Sequence, residues 1–297
     1  MSRWRDRCTL HHGDFAATLA LCDGAADLVF TSPPYADARD YGMGCNWTMD
    51  DYHRLGVAVF DALRPGGHAL INVDAPVREW RKGFGTERGF HPWRLMLDWA
   101  EEIGFRVPDR LIFGRQSVPG DSPGRFQNEW EPLLWFQRPG RQTYLDKRSI
   151  IIPTGRRRIW TGRGRSKHNE DGFKSTGSKE IDGKHPSTLW HYGNASTQVG
   201  ARDIQAQAHP ARWPYKLAED IVRCFCPPDG LACDPFVGAG TSAAAALEHG
   251  RRFIGGDMGS RQDNEDNQRR GLDAVPWVDV TARVLEERFK QTRLFGR

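Results

Sequence analysis

The chain has 297 residues, enough for one large α/β domain with an inserted module or for two domains. With 38% hydrophobic residues, no apolar run near the roughly 20 residues that cross a bilayer and no secretory signal, the composition predicts a soluble, cytoplasmic protein. The formal net charge of +4 does not by itself indicate a nucleic-acid partner.

The first half of the chain alternates predicted strands and helices. The apolar strand ADLVFT, residues 26–31, runs directly into SPPY, whose two prolines end both helix and sheet. A helix is predicted from about Asp50 to Leu63, followed by the turn RPGG and the strand HALINVD. A second helix, from about Pro92 to Ile103, ends at Gly104 before the strand RLIFG. This rhythm predicts an α/β fold.

The middle of the chain is basic and loop-rich. EPLLWF, residues 131–136, still predicts a strand, but residues 138–205 are rich in Gly, Ser, Thr, Lys and Arg. From Arg138 to Lys184 there are thirteen Lys or Arg against five Asp or Glu, so this segment carries +8 and the remainder about −4. A basic insert on a slightly acidic body is what phosphate binding requires, although a solvated loop would have the same composition.

The α/β pattern resumes in the last third. It predicts a helix from about Pro214 to Cys226, the strand LACDPF, a glycine turn, the helix TSAAAALEHG and the strand RRFIGGD. Cys224, Cys226 and Cys233 lie close together in sequence, but none of the six cysteines forms a CxxC pair. We therefore expect reduced cysteines near a core strand, without disulfides and without a bound metal.

The glycine turn DPFVGAGTS, residues 234–242, follows a strand and opens a helix. Gly238 and Gly240 let the backbone pass close to a ligand that faces the helix N-terminus. The dinucleotide fingerprint needs a third glycine, where this sequence has Ser242 and Ala243. Asp257 ends the next strand, where a carboxylate can accept both hydroxyls of a ribose. The set predicts an adenosine-bearing cofactor, with a structural tight turn as the alternative.

The tetrapeptide SPPY places a hydroxyl and an aromatic ring on a rigid turn at the carboxyl end of a strand. An exocyclic amino group on a base is a poor nucleophile because its lone pair is delocalised into the ring. Two acceptors, Ser32 Oγ and the Pro33 carbonyl, can draw its hydrogens and direct the lone pair at a methyl group. Pro34 stiffens the turn, and the Tyr35 ring can stack on a base withdrawn from the duplex. A proline turn with an exposed tyrosine is the alternative.

Together, TSPPY and DPFVGAGTS resemble the amino-methyltransferases of DNA, in which [SDN]PP[YFW] is catalytic and FxGxG binds S-adenosylmethionine. The catalytic motif precedes the cofactor motif here, with the basic insert between them, which resembles the β-class order. The resemblance implies a Rossmann-like S-adenosylmethionine-dependent sheet, circularly permuted, with an inserted loop-rich target-recognition region. The chain would then divide into a catalytic half at 1–137, the target-recognition region at 138–205 and a cofactor-binding half at 206–297.

The resemblance also assigns residues. LHHGDF implies that Asp14 lies beside the adenine of the cofactor, and HPARWP implies that His209 helps to close over its methionine end. Trp213 departs from the lysine of many relatives, so no carboxylate contact is assigned to it. The full cofactor set is Asp14, His209, Asp234, Phe236, Gly238, Gly240, Thr241, Ser242 and Asp257. The residues expected to contact double-stranded DNA in the insert are Arg156, Arg157, Arg158, Arg163, Arg165 and Lys167.

The target atom and several rival functions stay open. Ser at position 32 is more usual in cytosine-N4 enzymes, whereas adenine-N6 enzymes more often have DPPY, so cytosine N4 is favoured and adenine N6 is the alternative. A C5-cytosine enzyme needs a Pro-Cys nucleophile, which the sequence lacks. A methyltransferase acting on RNA or small molecules would not need the basic insert, and a DNA-binding module would not need SPPY. The sequence leaves open the recognition site, a homodimer and a restriction partner.

Overall fold

A computed structural model describes residues 4–35, 47–75, 77–79, 86–115, 126–150, 152–160, 179–184, 186–192, 213–259 and 275–295. For 152–160 and 179–184 only the backbone is described. The strands are β1 Cys8–His12, β2 Ala26–Thr31, β3 Leu63–Asn72, β4 Val77–Glu79, β5 Thr86–Arg88, β6 Arg106–Arg115, β7 Trp130–Gln137, β8 Ile152–Trp160, β9 Lys179–Lys184, β10 Leu189–Tyr192, β11 Leu231–Asp234 and β12 Arg252–Asp257.

The α-helices are α1 Phe15–Ala20, α2 Met49–Ala62, α3 His91–Asp98, α4 Tyr215–Phe225, α5 Thr241–Glu248 and α6 Trp277–Phe295, and a π-helical turn, Trp99–Ile103, extends α3. The four helices predicted from the sequence are confirmed within two residues at each end. Helix α2 begins at a capping box, in which the Asp51 backbone N–H donates to Thr48 Oγ1 and the Thr48 N–H to Asp51 Oδ2. Within the described residues, no helix is long and apolar enough to span a membrane.

The central sheet has eight strands in the order β1-β12-β11-β2-β3-β7-β6-β10. All neighbouring pairs are parallel except those of β7, which lies antiparallel between β3 and β6. Strands from the two ends of the chain are therefore adjacent, since β11 pairs with β2. This arrangement confirms the predicted α/β class with its permuted order of elements.

Alternation along the strands builds a core on each face of the sheet. Along β2, Leu28 and Phe30 face the core that contains α4, α5 and α6, whereas Val29 faces the core that contains α2 and Trp99. All three side chains are fully buried. A strand buried on both faces reads as a continuous apolar run, which explains the sequence ADLVFT.

The RPGG stretch differs from the predicted turn, because β3 begins at Leu63 and runs through it. Gly66 adopts a φ of +82°, and its backbone N–H donates to the Arg138 carbonyl at 3.0 Å. A Cβ at Gly66 would lie 1.9 Å from the Arg141 carbonyl oxygen. Glycine at 66 therefore allows an irregular strand to continue where a turn was expected.

Described residues near both ends of the predicted insert at 138–205 contact the central sheet or the helices beside it. The Asp146 N–H donates to the Cys224 carbonyl at 2.8 Å, and His68 Nε2 lies 2.8 Å from the Tyr144 carbonyl. Strand β10 joins the edge of the central sheet beside β6. Only the antiparallel hairpin β8–β9 forms a sheet of its own in the described part of this segment. Ile150 and Trp190, which lie on either side of this hairpin in sequence, are buried in the core of the body.

Candidate functional site

The two predicted sites meet at the carboxyl ends of β2 and β11. The ladder between these strands pairs Ala232 with Leu28 and Cys233 with Val29, and the described pairing ends there. From this point the chain leaves β2 toward β3 on one side, and leaves β11 toward β12 on the other. A crevice opens where adjacent strands connect in opposite directions, and open α/β sheets bind their ligands in such crevices.

The tetrapeptide lies at this crevice and is held from behind by buried polar groups. Ser32 Oγ donates to Tyr35 Oη at 3.2 Å, and Tyr35 Oη lies 3.1 Å from Glu131 Oε2 and 3.2 Å from Asn72 Oδ1. Tyr52 Oη, from α2, donates to the Pro34 carbonyl at 2.8 Å. The turn is therefore fixed by side chains from α2, β3 and β7.

The direction of these hydrogen bonds leaves Ser32 an acceptor. A carboxylate can only accept, so Glu131 takes the proton of Tyr35, and the tyrosine oxygen can then accept the proton of Ser32. Since Ser32 Oγ is the donor in this contact, its lone pairs can accept from an incoming N–H group. Such chains of hydrogen bonds polarise one another, and this strengthens each bond.

The Tyr35 ring is more enclosed than a base-stacking residue would be. It is 3% exposed and packs in the core that contains Tyr52 and Leu134. In this conformation a base can stack on it only if neighbouring side chains move apart. Stacking by Tyr35 stays a prediction, whereas its hydroxyl has a defined contact with Ser32.

Three residues at this turn were not predicted from the sequence to act there: Asn72, Glu131 and Trp213. Asn72 and Glu131 are 1% and 4% exposed, and Trp213 Nε1 donates to Asn72 Oδ1 at 3.0 Å. Asn72 Nδ2 in turn donates to the Pro132 carbonyl at 3.0 Å. The sequence contains a signal for two of these residues: Asn72 and Glu131 are polar residues in the otherwise apolar strands HALINVD and EPLLWF. Buried polar side chains need partners, so such residues are candidates for a site. Trp213 contacts the Asn72 amide here.

The glycine turn has the backbone shape that a bound cofactor needs. Gly238 and Gly240 have φ values of +48° and +83°, and a Cβ at 240 would lie 2.9 Å from Thr281 Cγ2. Thr281 Oγ1 donates to the Gly238 carbonyl at 2.8 Å, which holds the turn against α6. Helix α5 starts at Thr241 and Ser242 without a side-chain cap, so its first N–H groups can face an anionic group. These features fit the carboxylate of a methionine moiety.

Asp234 is buried, and its carboxylate is occupied by groups of the protein. Oδ1 accepts from Thr31 Oγ1 at 2.5 Å and from the Phe236 N–H at 3.0 Å, and Oδ2 accepts from Ser242 Oγ at 2.5 Å. Burial raises the pKa of Asp234 to about 6, against the lowering effect of these hydrogen bonds. Of the predicted cofactor residues, Asp234 and Ser242 thus contact one another.

Asp257 ends β12 beside the glycine turn. Its Oδ2 accepts from the Gly238 N–H at 3.0 Å and its Oδ1 from the Gly259 N–H at 2.8 Å. Burial raises the pKa of this carboxyl to about 6, while the two backbone bonds lower it. Each carboxylate oxygen has further lone pairs, so Asp257 keeps the capacity to accept ribose hydroxyls.

Asp14 lies next to Asp257 in the sheet. It follows β1, whose His12 pairs with Asp257, and the Gly13 N–H donates to the Asp257 carbonyl at 3.3 Å. The Asp14 side chain is exposed and caps α1 by accepting from the Ala17 N–H at 2.7 Å. The place of Asp14 beside the cofactor stays a prediction.

An aromatic cluster joins the two sides of the crevice. The Trp47 ring lies 5.6 Å from Phe15, 5.4 Å from Phe236 and 5.2 Å from Tyr52, between ring centroids. Phe236 belongs to the glycine turn, and Tyr52 holds the Pro34 carbonyl. Trp47 and Phe15 had no signal in the sequence, because isolated aromatic residues are as common in cores as in sites.

Close packing around the end of β12 explains the two glycines of its GGD sequence. A Cβ at Gly256 would lie 2.0 Å from Thr18 Oγ1 of α1, and one at Gly255 would lie 2.7 Å from the Phe253 ring. Helix α1 packs so closely on β12 that no side chain fits at position 256. Asp257 follows directly and ends the strand.

Several predicted residues lie outside the described part of the chain. These are His209, Arg163, Arg165 and Lys167. Arg156, Arg157 and Arg158 lie in β8, where only the backbone is described, with Arg157 opposite Asp182 and Arg158 opposite Ile181. Among the described residues, no group of three His, Cys, Asp or Glu side chains is placed to bind a metal. Burial raises the pKa of Cys224 and Cys226 to about 12, so both stay protonated.

The fold and the site define an α/β enzyme that binds an adenosine cofactor beside a rigid polar turn. The family model described as DNA methylase, of N6 and N4 methyltransferases, matches residues 26–263, and the chain belongs to this family. The orphan methyltransferase M.BamHII of Bacillus amyloliquefaciens is 26% identical over 258 residues, which cover 83% of this chain and 89% of that protein.

Two solved structures are similar in fold. The cytosine-N4-specific PvuII DNA methyltransferase has a TM-score of 0.60 at 20% identity, covering 94% of this chain and 93% of that one. A putative DNA modification methylase of Thermus thermophilus, in complex with S-adenosyl-L-methionine, has a TM-score of 0.54 at 22% identity, covering 90% and 97%. The protein is thus an S-adenosylmethionine-dependent amino-methyltransferase of DNA with a β-class order of motifs.

Proposed function

We propose that this enzyme methylates the exocyclic N4 of cytosine at a specific site in duplex DNA, after the base has flipped out of the helix. The observation that carries the proposal is the Ser32 hydroxyl at the switch-point crevice, with its proton taken by Tyr35 and its lone pairs available. Adenine N6 is the alternative target, because the family contains both kinds of enzyme.

The proposed reaction is a direct transfer. The cofactor supplies a methyl group on a cationic sulfur. The target nitrogen would form a bond to the methyl carbon while the carbon–sulfur bond breaks and leaves its electron pair on sulfur, and the nitrogen would then release one proton to solvent. Ser32 Oγ and the Pro33 carbonyl accept the amino hydrogens and direct the nitrogen lone pair toward the methyl carbon. Pro34 and Tyr35 hold this turn.

The cofactor side follows from the same geometry. Asp257 accepts the ribose hydroxyls, Asp14 lies beside the adenine, and the N–H groups at the start of α5 face the methionine carboxylate. Phe236, Gly238 and Gly240 shape the turn around the ligand. His209 is proposed to close the methionine end.

Strand β8, with Arg156, Arg157 and Arg158, and the segment that follows it, with Arg163, Arg165 and Lys167, are proposed to contact the DNA backbone. We expect neutralising Arg156, Arg157 and Arg158 to glutamine to weaken duplex binding, because removing one phosphate contact reduces the salt slope by about 0.9. Binding titrations over a range of salt concentrations measure this slope. A matched triple variant, Arg5→Gln with Arg106→Gln and Arg252→Gln at exposed positions of the body, controls for net charge. An unchanged slope in the triple variant would assign the run to a solvated loop.

Sequencing separates the two target bases. The chain is expressed in a host free of DNA methylation, and its DNA is read by a method that distinguishes 4-methylcytosine from 6-methyladenine. We expect 4-methylcytosine at one short sequence, absent when Ser32→Ala is expressed at an equal level. Exclusive 6-methyladenine would establish the alternative. Purified enzyme that methylates RNA but neither base in duplex DNA would contradict the proposed substrate.

A further inference from the structure

We infer that Thr31 is a positioning residue for methyl transfer, acting through Asp234 to fix the distance between the base site and the cofactor site. The inference rests on the proposed function and adds a residue that was not predicted from the sequence. Thr31 immediately precedes Ser32 and is fully buried, so it cannot touch either substrate itself. Its effect on the reaction must pass through the groups that it holds.

The contact bridges the two halves of the site. Thr31 Oγ1 donates to Asp234 Oδ1 at 2.5 Å, although the two residues are 203 positions apart in sequence. Asp234 also accepts from the Phe236 N–H in the glycine turn and from Ser242 Oγ in the first turn of α5. One carboxylate therefore joins the end of the catalytic strand, the glycine turn and the start of the cofactor helix.

The contact between Thr31 and Asp234 links the two strands at a point where the backbone hydrogen bonds of the sheet do not. Backbone pairing between β2 and β11 reaches only Val29 and Cys233, so the strands are no longer paired at Thr31 and Asp234. Beyond that point the crevice walls can separate. The hydrogen bond from Thr31 to Asp234 crosses the crevice where the pairing has ended, and so links the two walls there.

The physical chemistry of the contact suits precise positioning. Both residues are buried, with Asp234 5% exposed, and a hydrogen bond to a carboxylate is roughly twice as strong as one between neutral groups. Methyl transfer requires the nitrogen and the methyl carbon about 3 to 3.5 Å apart and in line with the leaving sulfur, and a displacement of about 1 Å can cost about 10²-fold in rate. Ser32 moves with Thr31 because they are consecutive, and the cofactor moves with the glycine turn.

Two variants of one residue test the inference. Thr31→Val keeps the shape of the side chain but removes the donor, whereas Thr31→Ser keeps the donor and removes a methyl group. The rate of methyl transfer is measured under single-turnover conditions on a duplex that contains the target site found by sequencing. Cofactor affinity is measured by calorimetry, and kcat and KM are measured in the steady state. We expect Thr31→Val to lower the transfer rate by about 10- to 100-fold with little change in cofactor affinity. Thr31→Ser should keep most of the rate.

The outcomes separate a positioning role from a packing role. A Thr31→Val enzyme at the wild-type rate would overturn the inference, and so would equal losses in Thr31→Val and Thr31→Ser. If Thr31→Val does not fold, Asp234→Asn replaces it, because the amide weakens the same bond at constant shape. A folded Asp234→Asn enzyme at the wild-type rate would also overturn the inference. Failure of the wild-type enzyme to methylate DNA would instead contradict the proposed function.

Discussion

The two walls of the crevice hold their ligand-facing groups by different means. On the wall formed by β11, β12 and the glycine turn, the cofactor wall, backbone N–H groups supply both donors to Asp257, from Gly238 and Gly259, and one of the three donors to Asp234, from Phe236. On the wall formed by the SPPY turn and the side chains behind it, the catalytic wall, the donors are side chains: Tyr52 donates to the Pro34 carbonyl and Trp213 donates to Asn72. Substituting another residue does not remove the backbone donors to Asp257, so these contacts are changed only at the acid itself, whereas the contacts of the catalytic wall can be changed one side chain at a time.

The largest expected effect lies on the catalytic wall. Ser32→Ala removes one acceptor for the target amino group and leaves Asp234 and Asp257 in place. We expect the single-turnover rate of methyl transfer to fall by about 10²–10³, while cofactor affinity stays close to that of the wild type. Rapid-quench transfer and calorimetry are the two measurements. Transfer near the wild-type rate would make Ser32 a turn residue only.

Asp257→Ala should have the converse effect on the cofactor wall. Loss of a charged acceptor for ribose hydroxyls costs about 1.5–3 kcal/mol of cofactor binding. Asp257→Asn is the matched variant, since its amide oxygen can still accept, and we expect a smaller loss. Calorimetric titration at about pH 8, well above the carboxyl pKa, measures both. Because the Ala variant also frees the Gly238 and Gly259 N–H groups, a thermal unfolding curve must show that the fold persists.

The same wall should respond to pH. Burial raises the pKa of Asp257 to about 6, so the carboxyl of the cofactor-free protein becomes protonated as the pH falls through about 6. Binding that needs the ionised form is then strongest above about pH 6 and weakens by up to about tenfold per unit below it. Calorimetry from about pH 5 to about pH 8 tests this. The slope should be much reduced in Asp257→Asn, and an equal slope there would assign the pH response to another group, such as Asp234.

The smallest effect is expected at Trp213. Trp213→Phe removes the N–H donor to Asn72 but keeps an aromatic ring near Phe30, from which the indole ring lies 6.0 Å. Loss of one buried hydrogen bond should lower the free energy of unfolding by about 1 kcal/mol and change the transfer rate only slightly. Urea unfolding measures the first and single-turnover transfer the second. A rate loss as large as that of Ser32→Ala would show that the catalytic wall depends on Trp213 directly.

Local patterns predicted the elements but not the contacts between them. The run ADLVFT and the glycines around Asp234 gave the strands and turns that form the crevice, because burial and positive φ leave a signal in the sequence. The bond between Thr31 and Asp234 had no such signal, since it depends on which strands become neighbours.

The edge of the sheet and the partners of the buried polar residues likewise could not be predicted from the sequence. Strand β10 lies in a loop-rich stretch, where Trp190 packs into the core only because β6 offers an edge. In the sequence, Glu131 is only the first residue of a predicted apolar strand. Its hydrogen-bond partner Tyr35 is 96 positions away. These contacts depend on packing between residues that are far apart in sequence, and the periodicity of the sequence does not predict such packing.

The adjacency of β2 and β11 also determines when the enzyme becomes active during its synthesis. The ribosome makes β2 early, but its partner strand emerges only after residue 234 of the 297, about four-fifths of the way along the chain. Until then one edge of β2 is without its final neighbour, and closing so long a loop is slow compared with forming local helices. An unfinished chain therefore has the tetrapeptide SPPY but no crevice, and methylation has to wait for the carboxyl-terminal third of the protein.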